Sequence, residues 1–419
     1  VSAPVLNVIV NFSSGASFGQ AMIIGSGIIG VNILADAATI TADISDTVQA
    51  VNITRGRSAN ADQFQAGTCT VRVADTQGAW NPANTASIYY PNVIPNRKII
   101  ITATDSNTNL VYPLFAGYIV SYDYVQANLV GEVSYTTLNC VDAFRVLNMA
   151  NITTVASAPA GQLSGARTNA ILNQVGWPAS MRDVDTGQQS LLVDPGTNRT
   201  ALAALQTVEI SEYGASYISA SGDFTFQDRA LTSSSIGSTP TIFADDGSGG
   251  IEYSSAKWIL NDNLVYNDVS ITATGLATQT ASDPTSIATF FTHSYKQTDL
   301  LMDSTAAAKN YALAYVASRK DTSIRCDSIT LKDLNTPSYT AGVAAALGLD
   351  YFDTITVKST QPAATGTSTL NKTLQIFGVS HTITVSNWTT RFTCLEPIID
   401  SFIISNANYG QIGINVLSY

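Results

Sequence analysis

Gly25-Ser26-Gly27-Ile28-Ile29-Gly30 has the spacing G-x-G-x-x-G, the turn that lets a pyrophosphate approach backbone N–H groups at the start of a helix. Ala21-Met22-Ile23-Ile24 would be the strand before it, and Asp43 and Asp46 fall near the distance at which a carboxylate meets a ribose. Ser254-Ser255-Ala256-Lys257 reads S-x-x-K, the acyl-transfer pairing in which Ser and Lys share one face of a helix. Asp245-Asp246-Gly247-Ser248-Gly249-Gly250 offers carboxylates to Ca2+, without the full alternating set of oxygen ligands. Arg55-Gly56-Arg57 sets two guanidinium groups around a glycine, suited to a phosphate or a partner's carboxylate. His293 and His381 are the only histidines, so a His-based metal site would need both to meet in space.

The elements that would have to position these groups speak against most of them. A dinucleotide fold alternates strand and helix, whereas the dominant period from Val5 to Phe144 is two: "VLNVIVNF", "TITADIS", "TCTVRVAD", "KIIITATD" and "YTTLNCV" alternate or run β-branched. The early glycines then read as a turn or bulge between apolar strands. Ser254 and Lys257 lie in another β-patterned run, where residues three apart point to opposite faces. Asp245 and Asp246 read as an acidic turn, and Arg55 and Arg57 as a strand end whose guanidinium groups pair with Asp62 or Asp75. Tyrosines and tryptophans are plentiful but scattered, with no stacking ladder for bases or sugars. No catalytic, cofactor-binding or metal-binding residue is assigned, and no cofactor is expected.

Helical spacing appears later in the chain. "ARTNAILNQV" puts Ile171, Leu172 and Val175 on one face and stops at "GWP". A second helix runs through "NRTALAALQTVEISEYG", followed by "SYISASGDFTFQDR", two alternating strands around a Ser-Gly-Asp turn. The longest helix is "DSTAAAKNYALAYVASRK", with Asp303 or Ser304 as N-cap and a basic last turn that complements the helix dipole. "ALTSSSIGSTP" is a linker by composition, and β pattern resumes on both sides of the long helix.

Composition sets the outer limits. With 419 residues the chain has room for several domains. Charged residues are only 12%, about half the usual ~25%, so the polar surface is carried by hydroxyls and amides. The net charge of -11 argues against gripping nucleic acid, which needs clustered Lys and Arg. Cys69, Cys140, Cys326 and Cys394 form no C-x-x-C pair and read as buried thiols. No stretch reaches the ~18 consecutive apolar residues of a spanning helix, and no signal peptide is recognised.

"ITRGRSANADQFQAGTCTVRVADTQGAWNP" resembles a signature of tail-tip proteins of long-tailed bacteriophages, the minor tail protein or baseplate hub family. In that pattern an Arg-Gly-Arg turn precedes a Phe-x-Ala-Gly-Thr turn, a strand and a Gly-aromatic-x-Pro turn. "YTTLNCVDAFRVLNMA", "ILNQVGWPASMRDVDTGQ", "LAALQTVEISEYGASYISASGDFTFQDR" and "FGVSHTITVSNWTTRFTCLEP" resemble further blocks, in the family's order, over roughly Ile53 to Pro397. Residues 1–50 match nothing in the pattern, and "LGLDYFDTITV" carries extra aromatics where the family tends to a plain Leu-Gly-Asp.

The resemblance implies a mainly β chain with α+β insertions: a tail-tube-like β-barrel domain over 1–155, a small α+β domain over 156–232, a β domain with a long helix over 240–325 and a C-terminal β-barrel domain over 326–419. It further implies a homotrimer around a channel, in contact with the distal tail ring, tail tube, tape measure and receptor-binding proteins. Such a structural virion protein, assembled in the bacterial cytoplasm, would close the tube at the tail tip and meet DNA only in transit. Few basic residues suit that passage, because an anionic wall repels the genome. The competing readings are a distal ring protein, a receptor- or sugar-binding tip module, a nicotinamide-dependent enzyme and a cell-wall hydrolase.

Overall fold

The computed structural model describes residues 3–12, 41–58, 63–125, 133–229, 239–362 and 366–396. The glycine turn at 25–30, most of the linker and the tail after Glu396 lie outside them.

A 13-stranded sheet organises the chain. Its path runs from Tyr253–Ile259 through Arg325–Leu331, Trp388–Leu395 and Thr367–Thr384 to Val48–Gly56, then Gln65–Asp75, Ser134–Val141, Val111–Val125, Arg97–Thr104, Val5–Asn11 and Thr41–Asp43. Thr354–Pro362 also pairs with Thr367–Thr384 and carries Thr241–Ala244 in parallel. The period-two pattern is the cause: Gln65–Asp75 buries Cys69, Val71 and Val73, and Arg97–Thr104 buries Ile99, Ile101 and Ala103, while alternate residues face outward. The decisive pairing is Val48–Gly56 against Thr367–Thr384, antiparallel from Gly378 opposite Gly56 to Thr384 opposite Ala50. It fuses strands from the two ends of the chain into one sheet. Ala66-Gly67-Thr68, expected as a turn, belongs instead to the Gln65–Asp75 strand.

A small α+β unit stands beside this sheet. Helix Ser164–Gln174 buries Ile171 and Leu172 and ends before Gly176, whose φ of +70° turns the chain out of the helix. Trp177 is buried and donates from Nε1 to the Met181 carbonyl at 2.9 Å. Helix Ala201–Glu212 is capped by Thr200, whose hydroxyl accepts from the Ala203 N–H at 3.1 Å. The expected hairpin is present as Ala215–Ile218 and Phe224–Gln227, and Arg182–Val184 adds to it in parallel.

Within 240–325 the chain serves two sheets. Thr241–Ala244 and Tyr253–Ile259 join the large one. Asp268–Ala273, Gln279–Ser282 and Ser294–Leu300 form a separate three-stranded sheet under helix Thr305–Arg319, capped by Ser304, one of the two residues the sequence offers for that cap. That helix buries Ala308, Tyr311, Ala312, Tyr315 and Val316, an i, i+3, i+4, i+7, i+8 stripe, against Val269 and Ile271. The tyrosines that look scattered in sequence converge here: Tyr295 stacks on Tyr315 at 4.1 Å and Tyr213 meets Tyr311 edge-on at 4.7 Å.

Candidate functional site

Arg55-Gly56-Arg57 sits where the two ends of the chain cross, at the end of the Val48–Gly56 strand. Gly56 has φ +107°, and a Cβ there would lie 2.3 Å from the Phe377 carbonyl oxygen, so only glycine lets the two backbones close. The Arg57 N–H then donates to that same carbonyl at 2.9 Å. Bulges on both strands at this point turn the flanking arginines away from the regular ladder.

Arg55 is buried and reaches Asp350, with Nη2 at 3.0 Å from one carboxylate oxygen and 3.1 Å from the other. Its guanidinium also lies 5.1 Å from the centre of the Tyr351 ring. Asp75, one of the two carboxylates named in the sequence reading, serves another purpose. Asp75 accepts from the Ala79 and Trp80 N–H groups and closes the turn that places buried Trp80, while Asp62 lies outside the described residues. Arg57 lies over Phe377 at 4.3 Å and over Phe64 at 5.5 Å. Phe64 in turn meets Tyr351 at 4.9 Å and Tyr217 of the α+β hairpin at 5.2 Å. One arginine pair and one aromatic cluster thus join the N-terminal strands, the C-terminal strands and the α+β unit.

Two buried carboxyls complete the junction. Asp142 accepts from the Gly67 N–H at 2.5 Å and from the Phe144 N–H at 3.0 Å, so it ties a strand to the start of helix Phe144–Met149. Burial pushes its pKa up to about 7, against the opposing pull of those two N–H groups and of Arg55. Glu209 accepts from Gln63 at 3.3 Å, and burial lifts it to about 8 although Ser216, Arg57 and Gln63 favour its charged form. His381, on the strand that pairs with Val48–Gly56, is driven down to about 3 by burial and then by the Arg55 charge, and stays neutral. Its Nδ1 faces Trp388 Nε1 at 3.4 Å. The junction is a clasp, with Arg55 held by the Asp350 carboxylate and the Tyr351 ring and Arg57 lying over Phe377 and Phe64.

The remaining sequence candidates are placed apart. Ser254 and Lys257 lie on strand Tyr253–Ile259, and Lys257 pairs with Asp327 at 3.2 Å. Asp245 accepts from the Thr360 N–H and hydroxyl, and Asp246 from the Ser248 N–H. His293 contacts the Phe290 carbonyl at 3.0 Å, just before the Ser294–Leu300 strand of the three-stranded sheet, while His381 is in the large one. All four cysteines are free and buried, as expected. Asp142, Asp350, Tyr351 and Glu209 escaped the sequence reading as partners of the arginines. The signal for one of them was present, since Tyr351 is one of the extra aromatics by which "LGLDYFDTITV" departs from the family pattern.

No protein-family model matches the chain, and no curated protein matches its sequence. Solved structures do match. The chain is similar to the tail protein from Neisseria meningitidis, with a TM-score of 0.54 at 11% identity over 86% of this chain and 94% of that one. It is similar to the 43 kDa tail protein of prophage MuSo2 from Shewanella oneidensis, with a TM-score of 0.54 at 11% identity over 86% of this chain and 96% of that one. A chain of a PdpA–VgrG complex gives 0.51 at 12% identity, covering 95% of this chain and 66% of its own length. The fold is therefore that of phage tail proteins, mainly β and built on a large antiparallel sheet, and the resemblance read from the sequence holds at the level of the fold.

Proposed function

We propose that the chain is a structural protein of a phage tail, the hub at its distal end that closes the tube, anchors neighbouring tip proteins and opens for genome passage. The observation that carries this reading is the likeness to two tail proteins over 86% of the chain. The clasp around Arg55 suits a structural part, because it locks three regions of the chain by packing and charge. Three copies around an axis would form the passage, with the distal ring, tube, tape measure and receptor-binding proteins as neighbours. The -11 net charge would be concentrated on the bore, where it repels DNA. Catalysis has no part in this role. Light scattering of the purified chain tests the assembly: a species of three times 44.2 kDa is expected, and a monomer under all assembly conditions would count against it.

A further inference from the structure

Phe291 is the most exposed large apolar side chain among the described residues, at 83%. Its backbone has φ +63° and ψ −178°, a region essentially reserved for glycine, so the ring is presented in a strained conformation. That conformation is held from inside. Asn267, fully buried, donates from Nδ2 to the Phe291 carbonyl at 2.8 Å and to the Ser286 hydroxyl at 3.0 Å, and its Oδ1 accepts from the His293 N–H at 2.8 Å. Asp262 lies 3.6 Å from His293, which brings the corner that carries exposed Leu260 to the same end of the sheet. Scattered exposed apolar residues need no explanation, but one fixed in an unfavourable backbone by a buried amide does.

A cleft of about 370 Å3 opens between the two helices of the α+β unit and the three-stranded sheet. Ile171, Ala204, Val208 and Leu301 give it an apolar wall, and Asp299 and the Arg199–Asp194 ion pair border it. A cavity of about 150 Å3 already accepts benzene, so there is room for a phenylalanine ring. Strand Ser294–Leu300 separates the two features: Phe291 stands before its start, and Leu301 of the cleft directly follows its end. Asp268–Ala273 runs parallel to it and leads to Thr274, also on the cleft. A strand of this length spans roughly 20 Å, so Phe291 does not reach its own cleft.

We infer that the Phe291 ring of one copy of this chain inserts into the cleft of another, against Ile171, Val208 and Leu301. The inference rests on the proposed assembly of copies around an axis and names a contact that holds them. A second copy is the occupant because the chain carries both halves of the contact, an apolar knob and an apolar socket, at opposite ends of one sheet. Each copy then gives its knob to one neighbour and receives the knob of another, the arrangement that repeats around an axis. A buried phenylalanine removes roughly 150–250 Å2 from water and acts as the anchor of such an interface.

The test uses the full chain, with sedimentation velocity and light scattering across a concentration series. Phe291→Asp removes the ring from an exposed position, while Thr274→Trp fills the cleft from the sheet side and Thr207→Trp from the helix side. Each folded variant should associate at least about tenfold more weakly than the wild type. Mixing Phe291→Asp, which keeps the cleft, with Thr274→Trp, which keeps the knob, should restore one contact and give a species of twice 44.2 kDa. Weakened association in the variants with pairing in the mixture supports the contact, and the mass of the wild type separately tests the ring of three. Association unchanged in Phe291→Asp, association unchanged in both tryptophan variants, or a mixture no more associated than its components would overturn the contact and leave the ring standing. A wild type that stays a monomer throughout would overturn both.

Discussion

Arg55 and Asp350 lie 295 positions apart, yet one nitrogen of the arginine donates to both oxygens of the carboxylate. The arginine side chain is 6% exposed and the aspartate 40%, so the pair is anchored on the inside and screened on the outside. That asymmetry decides what its loss does.

Asp350→Asn leaves the Arg55 charge in place with a weaker acceptor. It should lower stability by about 1–3 kcal/mol, less than for a fully buried pair because water already reaches Asp350. Arg55→Met removes the charge along with the bond and keeps the packing on Tyr351, and is expected to be milder than Asp350→Ala. Urea midpoints of the three variants check the order. A more damaging Arg55→Met would mean that the ring contact matters more than the ion pair.

Gly56→Ala meets both a left-handed backbone and a carbonyl oxygen 2.3 Å from the new methyl group, so a loss of at least about 2 kcal/mol is expected. Gly161→Ala has φ +80° with nothing within 4 Å and should show only the backbone penalty, about 1 kcal/mol. Equal melting shifts for the two would remove the close strand approach from the explanation.

Glu209 and Asp142 are raised by burial to about 8 and about 7 from ordinary values of 4.5 and 3.8. The folded chain therefore holds protons that the unfolded chain has released. The sign follows: their contribution is full below about pH 4, declines as pH rises through the range up to 8, and is gone above it. Glu209→Gln should flatten the fall in stability between pH 5 and 8, by up to about 1.4 kcal/mol per pH unit. Denaturant titrations across that window check it, and an unchanged slope would show that Glu209 is ionised in the fold.

The four cysteines are buried and free, and burial pushes the Cys326 thiol up to about 12. A thiol reagent at pH 8 should label none of them in the native protein and all of them in denaturant. Rapid native labelling would indicate local opening of the strands that carry them.

Local signals carried much of the fold. The periods of two and 3.6, the Ser304 cap, the stop at Gly176 and the Ser-Gly-Asp hairpin all depend on residues close in sequence, and each is found where the pattern puts it. The clasp depends on strand pairing between Val48–Gly56 and Thr367–Thr384, which no local period encodes, so Asp350 was invisible as a partner for Arg55. The same holds for Tyr213, Tyr266, Tyr295, Tyr311 and Tyr315, which meet only once a sheet and a helix are stacked. Gly67 was read as part of a Phe-x-Ala-Gly-Thr turn, but it lies in a strand, where its N–H and missing side chain admit the Asp142 carboxylate, 2.9 Å from where a Cβ would stand.

The placement of this chain in a particle is the most direct measurement of its proposed role. Electron microscopy of intact phage tails, with the chain tagged or bound by a specific antibody fragment, should show the label at the distal end of the tube, around its axis. Label along the shaft, on the capsid, or absent from assembled particles would contradict it.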